Sequence, residues 1–241
     1  MDPLHHFEVH KFVDLSLFGF DISISNSVLW MWIACGFAFL FFTQGIKGGK
    51  QVPGRLQSLV ELGYLFVLEM AEDIIGKKDG RKFFPYIFTL FYFVLFCNLS
   101  GLLPGSFTPT SQIIITGTFA SIIVGFALIF GFYNHGLHYL KFFVPSGIPV
   151  LLMPLMIPIE IISFLARPVS LSVRLFANMT AGHTMLAVMF FYVLTLPIFA
   201  SWLPFGFTVV FTGVEIFIGF IQAYIFTILT CVYINDAIHM H

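Results

Sequence analysis

Apolar residues run almost unbroken from Ser27 to Thr43, from Phe83 to Leu103 and from Thr116 to Tyr133. Each run is close to the roughly 20 residues that cross a bilayer as one helix, so the pattern predicts three transmembrane helices. Two later runs, Val150 to Pro197 and Phe205 to Ile234, are much longer and must be tilted, kinked or broken. Pro154, Pro158 and Pro168 offer kinks in the first, and Pro197 and Pro204 bracket the turn between the two. Between Leu56 and Ile75 the pattern changes: Leu59, Leu62, Gly63, Phe66, Met70 and Ile74 recur at helical spacing, with Gln57, Glu61, Glu69, Glu72 and Asp73 between them. That predicts an amphipathic helix lying in the membrane interface. Residues 1–25 are more polar, and the Phe, Leu and Val among them suit a segment lying along the membrane surface.

The basic residues sort the two sides. The glycine-rich loop Gln44–Arg55 and the stretch Gly76–Lys82 hold seven Lys and Arg, whereas the connector after Leu103 is uncharged. By the positive-inside rule the basic side faces the cytoplasm or matrix and the N-terminus faces the opposite side. Asn134–Lys141 returns the chain to the basic side, so the second and third spans form an antiparallel hairpin. The first 25 residues form an outer-side segment, 56–75 the interfacial helix, and 150–234 a long tilted pair. All belong to a single membrane domain, 1–241, of the all-α polytopic class.

Composition agrees, since 59% of the residues are hydrophobic and only 10% charged, against about 25% charged in a soluble domain. A net charge of −1 supplies no basic field for nucleic acid. Cys35, Cys97 and Cys231 lie in apolar runs without C-x-x-C spacing and read as small buried hydrophobes. The N-terminus carries acids and no Lys or Arg before Lys11, which fits neither a signal peptide nor an Arg-rich transit peptide.

The chemistry sits in the long pair. Arg167 and Arg174 are seven residues apart and Asn178 follows four later, so all three lie near one helical face, with Ser163 and Ser170 beside it. Glu160 is nearly in phase with them, while His183, nine residues past Arg174, points roughly the opposite way. In the second segment Glu215 and Gln222 share a stripe with Gly219 between them. Ala177, Ala181 and Gly219 are small enough to let the two backbones approach. An antiparallel pairing then sets Gln222 near Arg174 and Glu215 near His183. Packing readings stand beside these: Arg167 as a snorkelling interfacial residue, Arg174 in a buried ion pair, Glu215 as a structural partner of His183, Asn178 and Gln222 as interhelical hydrogen bonds, and the serines as backbone-bonding. A guanidinium is permanently charged and costs about 2.5–3.5 kcal/mol at the centre of a membrane helix on insertion scales. An Arg, two acids, a His, an Asn and a Gln in two apolar segments exceed what packing needs and point to an ion pathway.

Pro168-Val-Ser-Leu-Ser-Val-Arg-Leu-Phe-Ala-Asn-Met-Thr-Ala-Gly182 resembles the signature of subunit a of the F-type ATP synthase. Pro53–Glu61, Asn98–Pro104 and Gln222–Thr230 resemble other blocks of that family, so the likeness spans nearly the whole chain. The resemblance implies one transmembrane helix, an interfacial helix, a hairpin and two tilted helices that hug a ring of c subunits. It implies a stator subunit, non-catalytic on its own and without a cofactor, that provides two half-channels for protons. Its implied partners are the c-ring, the peripheral-stalk subunit b, other ATP synthase subunits and the lipid, in a bacterial or mitochondrial inner membrane. Arg174 takes the place of the essential arginine, Asn178 and Gln222 of polar residues near it, and Glu160 of an acid on the inner path. Where the family often has a glutamate this chain has His183, and where it often has a histidine this chain has Glu215. That exchange keeps one acid and one imidazole, as expected if the two meet. Sodium in place of the proton would be decided largely by the partner's carboxylates.

Other classes fare less well. A self-contained ion or solute transporter is the alternative, and the lack of an evident internal repeat counts against it. An intramembrane metalloenzyme or bis-His haem protein needs a ligand set, yet there is no H-E-x-x-H and only His183 lies deep in an apolar segment. His5, His6, His10, His239 and His241 at the two ends read as solvated histidines, with metal collection as the other reading.

Overall fold

The computed structural model describes residues 11–13, 16–17, 20–21, 23–47, 52–102, 107–143 and 153–239. Six α-helices carry it: α1 (Asn26–Ile46), α2 (Arg55–Ile75), α3 (Lys77–Ser100), α4 (Ile113–His135), α5 (Met153–Thr195) and α6 (Ile198–Ile238). Among the described residues, five helices are long and apolar enough to cross a membrane, all but α2. Ahead of α1, β1 (Lys11–Val13) pairs antiparallel with β4 (Ile24–Ser25), and β2 (Ser16–Leu17) with β3 (Phe20–Asp21). The sequence pattern predicts no strands there. Of the terminal histidines expected to be solvated, His5, His6, His10 and His241 lie outside the described residues, while His239 Nδ1 is 3.1 Å from Asn235 Oδ1.

Two helix boundaries differ from the hydrophobic pattern for identifiable reasons. The second span begins at Lys77 rather than Phe83, because Gly76 at φ +98° makes the whole corner and lets Lys77–Lys82 coil as the first turns of α3. Gly80 seats that turn on α2, since a Cβ there would lie 2.7 Å from Ala71 O, and Arg81 Nε meets Glu72 Oε1 at 2.6 Å. The turn between the long helices is only Leu196–Pro197, and Pro204 lies inside α6. Pro204 lacks the N–H that would bond the carbonyl of Ala200 four residues earlier. Nearby hydroxyls bond other carbonyls of these turns, Ser201 Oγ donating to Leu196 O at 2.9 Å and Thr208 Oγ1 to Pro204 O at 2.9 Å.

The α2 stripe also differs. Its buried residues are Val60, Val67, Met70, Ala71 and Ile75, whereas Leu59, Leu62 and Phe66 are exposed. The helix therefore has two apolar faces. One, which takes in Gly63 and Met70 of the sequence stripe, packs on protein, chiefly α3, and the other, through Leu59 and Leu62, is exposed.

The core forms where α6 meets α2, α3, α4 and α5. Ala223, Phe226, Cys231, Tyr233, Ile234 and Ala237 from the C-terminal half of α6 are all buried, while Phe199, Trp202 and Leu203 near its N-terminus are largely exposed. The helices α3 and α4 meet through rings in antiparallel order: Phe83 with Phe130, Tyr86 with Phe126 and Phe93 with Phe119. Apolar exposure is no liability against lipid tails, so helix contact depends on small residues, shape and hydrogen bonds. One such bond joins Thr116 Oγ1 of α4 to Ser172 Oγ of α5 at 3.2 Å.

Candidate functional site

The helices α5 and α6 run antiparallel along most of their length. Near one end the rings of Phe164 and Tyr233 lie 5.4 Å apart; near the other, Gly182 faces Glu215. This register sets Arg174 level with Ala223, next to Gln222. The close approaches fall at two glycines. A Cβ on Gly182 would come 2.7 Å from Glu215 Oε1, and one on Gly219 would come 3.3 Å from Asn98 Cβ and 3.6 Å from Met179 Cε. Ala177 and Ala181, expected to flank the contact, are instead exposed.

The predicted meeting of His183 and Glu215 occurs. His183 Nδ1 is 3.5 Å from Glu215 Oε1, and the two side chains are only 17% and 6% exposed. That separation is longer than a hydrogen bond, and neither carboxylate oxygen has a hydrogen-bond partner among the described residues. Glu215 and Asn178 line one cavity of about 210 Å³, together with Ala181, Gly182 and the apolar side chains of Met185 and Phe211. On the far side of the imidazole ring, His183 Nε2 is 2.6 Å from Thr108 Oγ1, in the connector between α3 and α4.

Arg174 is built differently. It is exposed on the lateral surface of α5 and makes no hydrogen bond or ion pair with any described residue. It lines a second cavity, of about 280 Å³, with Arg167, Ser170 and Leu229. So Arg167, Ser170 and Arg174 share a surface as their spacing predicts, and Asn178, one turn further, opens on the Glu215 cavity. Gln222 stands near the level of Arg174, as the antiparallel register sets it, but faces the other way. Gln222 is 2% exposed and its Nε2 has no hydrogen-bond partner among the described residues, whereas Arg174 points outward. Ser163 is exposed on α5 and Glu160 half-buried near its start. About 21 Å of helix separates Glu160 from Arg174 at 1.5 Å per residue.

A family model described as ATP synthase A chain matches residues 28–235. The chain belongs to the ATP synthase subunit a family. It is 58% identical to ATP synthase subunit a of Magnetococcus marinus, covering 100% of this chain and 94% of that relative. It is 49% identical to that of Pelagibacter ubique, with 100% and 98% covered, and 47% identical to that of Allorhizobium ampelinum, with 99% and 97% covered. Membership in the subunit a family makes the chain an integral membrane component of the Fo stator, in the proton-transporting sector of the synthase.

Two further polar residues lie at the site, Asn98 and Thr108. Asn98, 1% exposed on α3, donates from Nδ2 to Gly219 O of α6 at 3.0 Å, bracing α6 between Gln222 and Glu215. A lone amide within the apolar run Phe83–Leu103 was the signal available for it. Thr108 had none, because a Ser-, Thr- and Pro-containing connector reads as an ordinary turn.

Proposed function

We propose that the chain conducts protons to and from a ring of c subunits through two half-channels, with Arg174 at their junction. Protons from the outer side pass the Asn178–Glu215 cavity and the His183–Glu215 pair and reach a carboxylate on the ring. Neutralised, that carboxylate enters lipid without the cost of a buried charge. Rotation brings another protonated site to the inner half-channel, whose polar groups are Ser170, Ser163 and Glu160. Arg174 attracts the ionised carboxylate and repels a proton crossing directly between the paths. Asn178 and Gln222 are polar neighbours of that junction. Each charge moved is driven by about 2.3 kcal/mol per 100 mV. The chain performs no bond chemistry itself, and rotation carries the coupling.

On this reading the segment before α1 lies on the outer side, α2 rests in the basic-side interface, α3 and α4 form a hairpin, and the tilted α5–α6 pair faces the ring. Subunit b and the other synthase subunits hold the assembly static, in a bacterial or mitochondrial inner membrane. The observation that carries the reading is the exposed Arg174, without a counter-ion among the described residues, on the surface of an apolar helix. A charge in that position is tolerated when its partner arrives on another chain. Arg174→Ala in proteoliposomes carrying the complete synthase is expected to abolish proton-driven ATP synthesis, a loss of more than 100-fold. Synthesis at the wild-type rate would refute the role.

A further inference from the structure

Thr108 is held firmly for a connector residue. It is 4% exposed, its side chain fills the space left by the missing Cβ of Gly101, and its carbonyl accepts from Ser111 Oγ at 2.7 Å and Ser111 N at 3.1 Å. Its hydroxyl is 2.6 Å from His183 Nε2, whereas Glu215 Oε1 stands off from Nδ1 at 3.5 Å. Of these two contacts on the ring, the closer is therefore to Thr108, not to the acid.

We propose that Thr108 is a positioning residue of the outer proton path, its hydroxyl holding Nε2 of His183 so that Nδ1 faces Glu215 in every protonation state of the ring. The inference rests on the path described under Proposed function. An imidazole that relays protons passes through three states: a neutral form with hydrogen on Nδ1, a cation with hydrogen on both nitrogens, and a neutral form with hydrogen on Nε2. In the first, Nε2 accepts from the Thr108 hydroxyl. A proton from the outer water then joins the ring, Nε2–H donates to the same oxygen, and the hydroxyl hydrogen turns aside. When Nδ1 passes its proton to the Glu215 carboxylate, Nε2–H still donates to Thr108; the next proton adds at Nδ1 from outer water, so turnover runs between the cation and this neutral form with Nε2–H held throughout. A backbone N–H in this position would suit only the first state and a carbonyl only the other two. A hydroxyl serves all three because it both donates and accepts.

The test is passive proton flux through the Fo sector in membrane vesicles under a potassium diffusion potential, normalised to assembled complex. Thr108→Val keeps the shape and removes the hydroxyl; it is expected to slow flux about tenfold. Thr108→Ser keeps the hydroxyl and is expected to stay within about twofold of wild type. In a Glu215→Gln background Thr108→Val should add less than about twofold, because the pair it serves is already disabled. If Thr108→Val assembles poorly, the contrast between Thr108→Ala, expected slow, and Thr108→Ser, expected fast, decides the same question. Wild-type flux in Thr108→Val alongside slowed flux in Glu215→Gln overturns the positioning role and leaves the path standing. A serine variant as slow as the valine variant overturns it too. Unimpaired flux in Glu215→Gln overturns the path itself and the Thr108 role with it.

Discussion

Arg174 and His183 lie on α5, a few turns apart, and Arg174 and the His183–Glu215 pair are built on opposite plans. The pair is enclosed: acid and imidazole face each other between α5 and α6, Gly182 leaves room for the carboxylate, and Thr108 closes the far side of the ring. Arg174 is laterally exposed, with neither acid nor hydrogen-bond acceptor among the described residues. The difference shows what each place is prepared to do. On the proposed reading the enclosed pair exchanges protons within this chain, whereas the cation left open on an apolar surface takes its partner from another.

If the pair is complete in itself, its members should be strongly coupled in a double-mutant cycle. Glu215→Gln and His183→Gln are each expected to slow passive proton flux by about 10- to 100-fold, and the double variant by little more than either alone. Independent, multiplying effects would separate the two residues. A smaller effect is expected from Gly182→Ala, whose Cβ would stand 2.7 Å from Glu215 Oε1. It should displace the carboxylate and slow flux several-fold, with complex assembly and the response to substitution at Arg174 unchanged. Equal flux in Gly182→Ala and wild type would mean that the carboxylate has room to move without consequence.

The contrast between the two regions is largely legible from helical phase. Phase puts Arg167, Ser170 and Arg174 on one face, and they line one cavity. It puts His183 on another, where it meets Glu215. Phase alone gives too much to Gln222. That residue has the right level for Arg174, but the helix turns it into the protein while the arginine turns out. Contacts made by connectors are not legible, because nothing in Thr108-Pro-Thr-Ser111 announces that a hydroxyl there reaches a histidine 75 residues later. The apolar stripe of α2 misleads for a related reason. Sequence periodicity finds an apolar stripe but does not distinguish lipid from protein as its partner, and the stripe of α2 divides between the two: Leu59 and Leu62 are exposed, while Met70 is buried and Phe66 lies beside Phe91 and Phe220. Pro204 reads as punctuation in the sequence, whereas α6 already starts at Ile198 and carries the proline inside it.

The most direct test is the density around Arg174 in the assembled synthase. A carboxylate from a ring subunit within about 4 Å of the guanidinium is expected, with His183 and Glu215 still facing each other inside this chain. An Arg174 paired instead with an acid of its own chain, or turned toward lipid with no ring carboxylate passing it in any rotational state, would contradict the account.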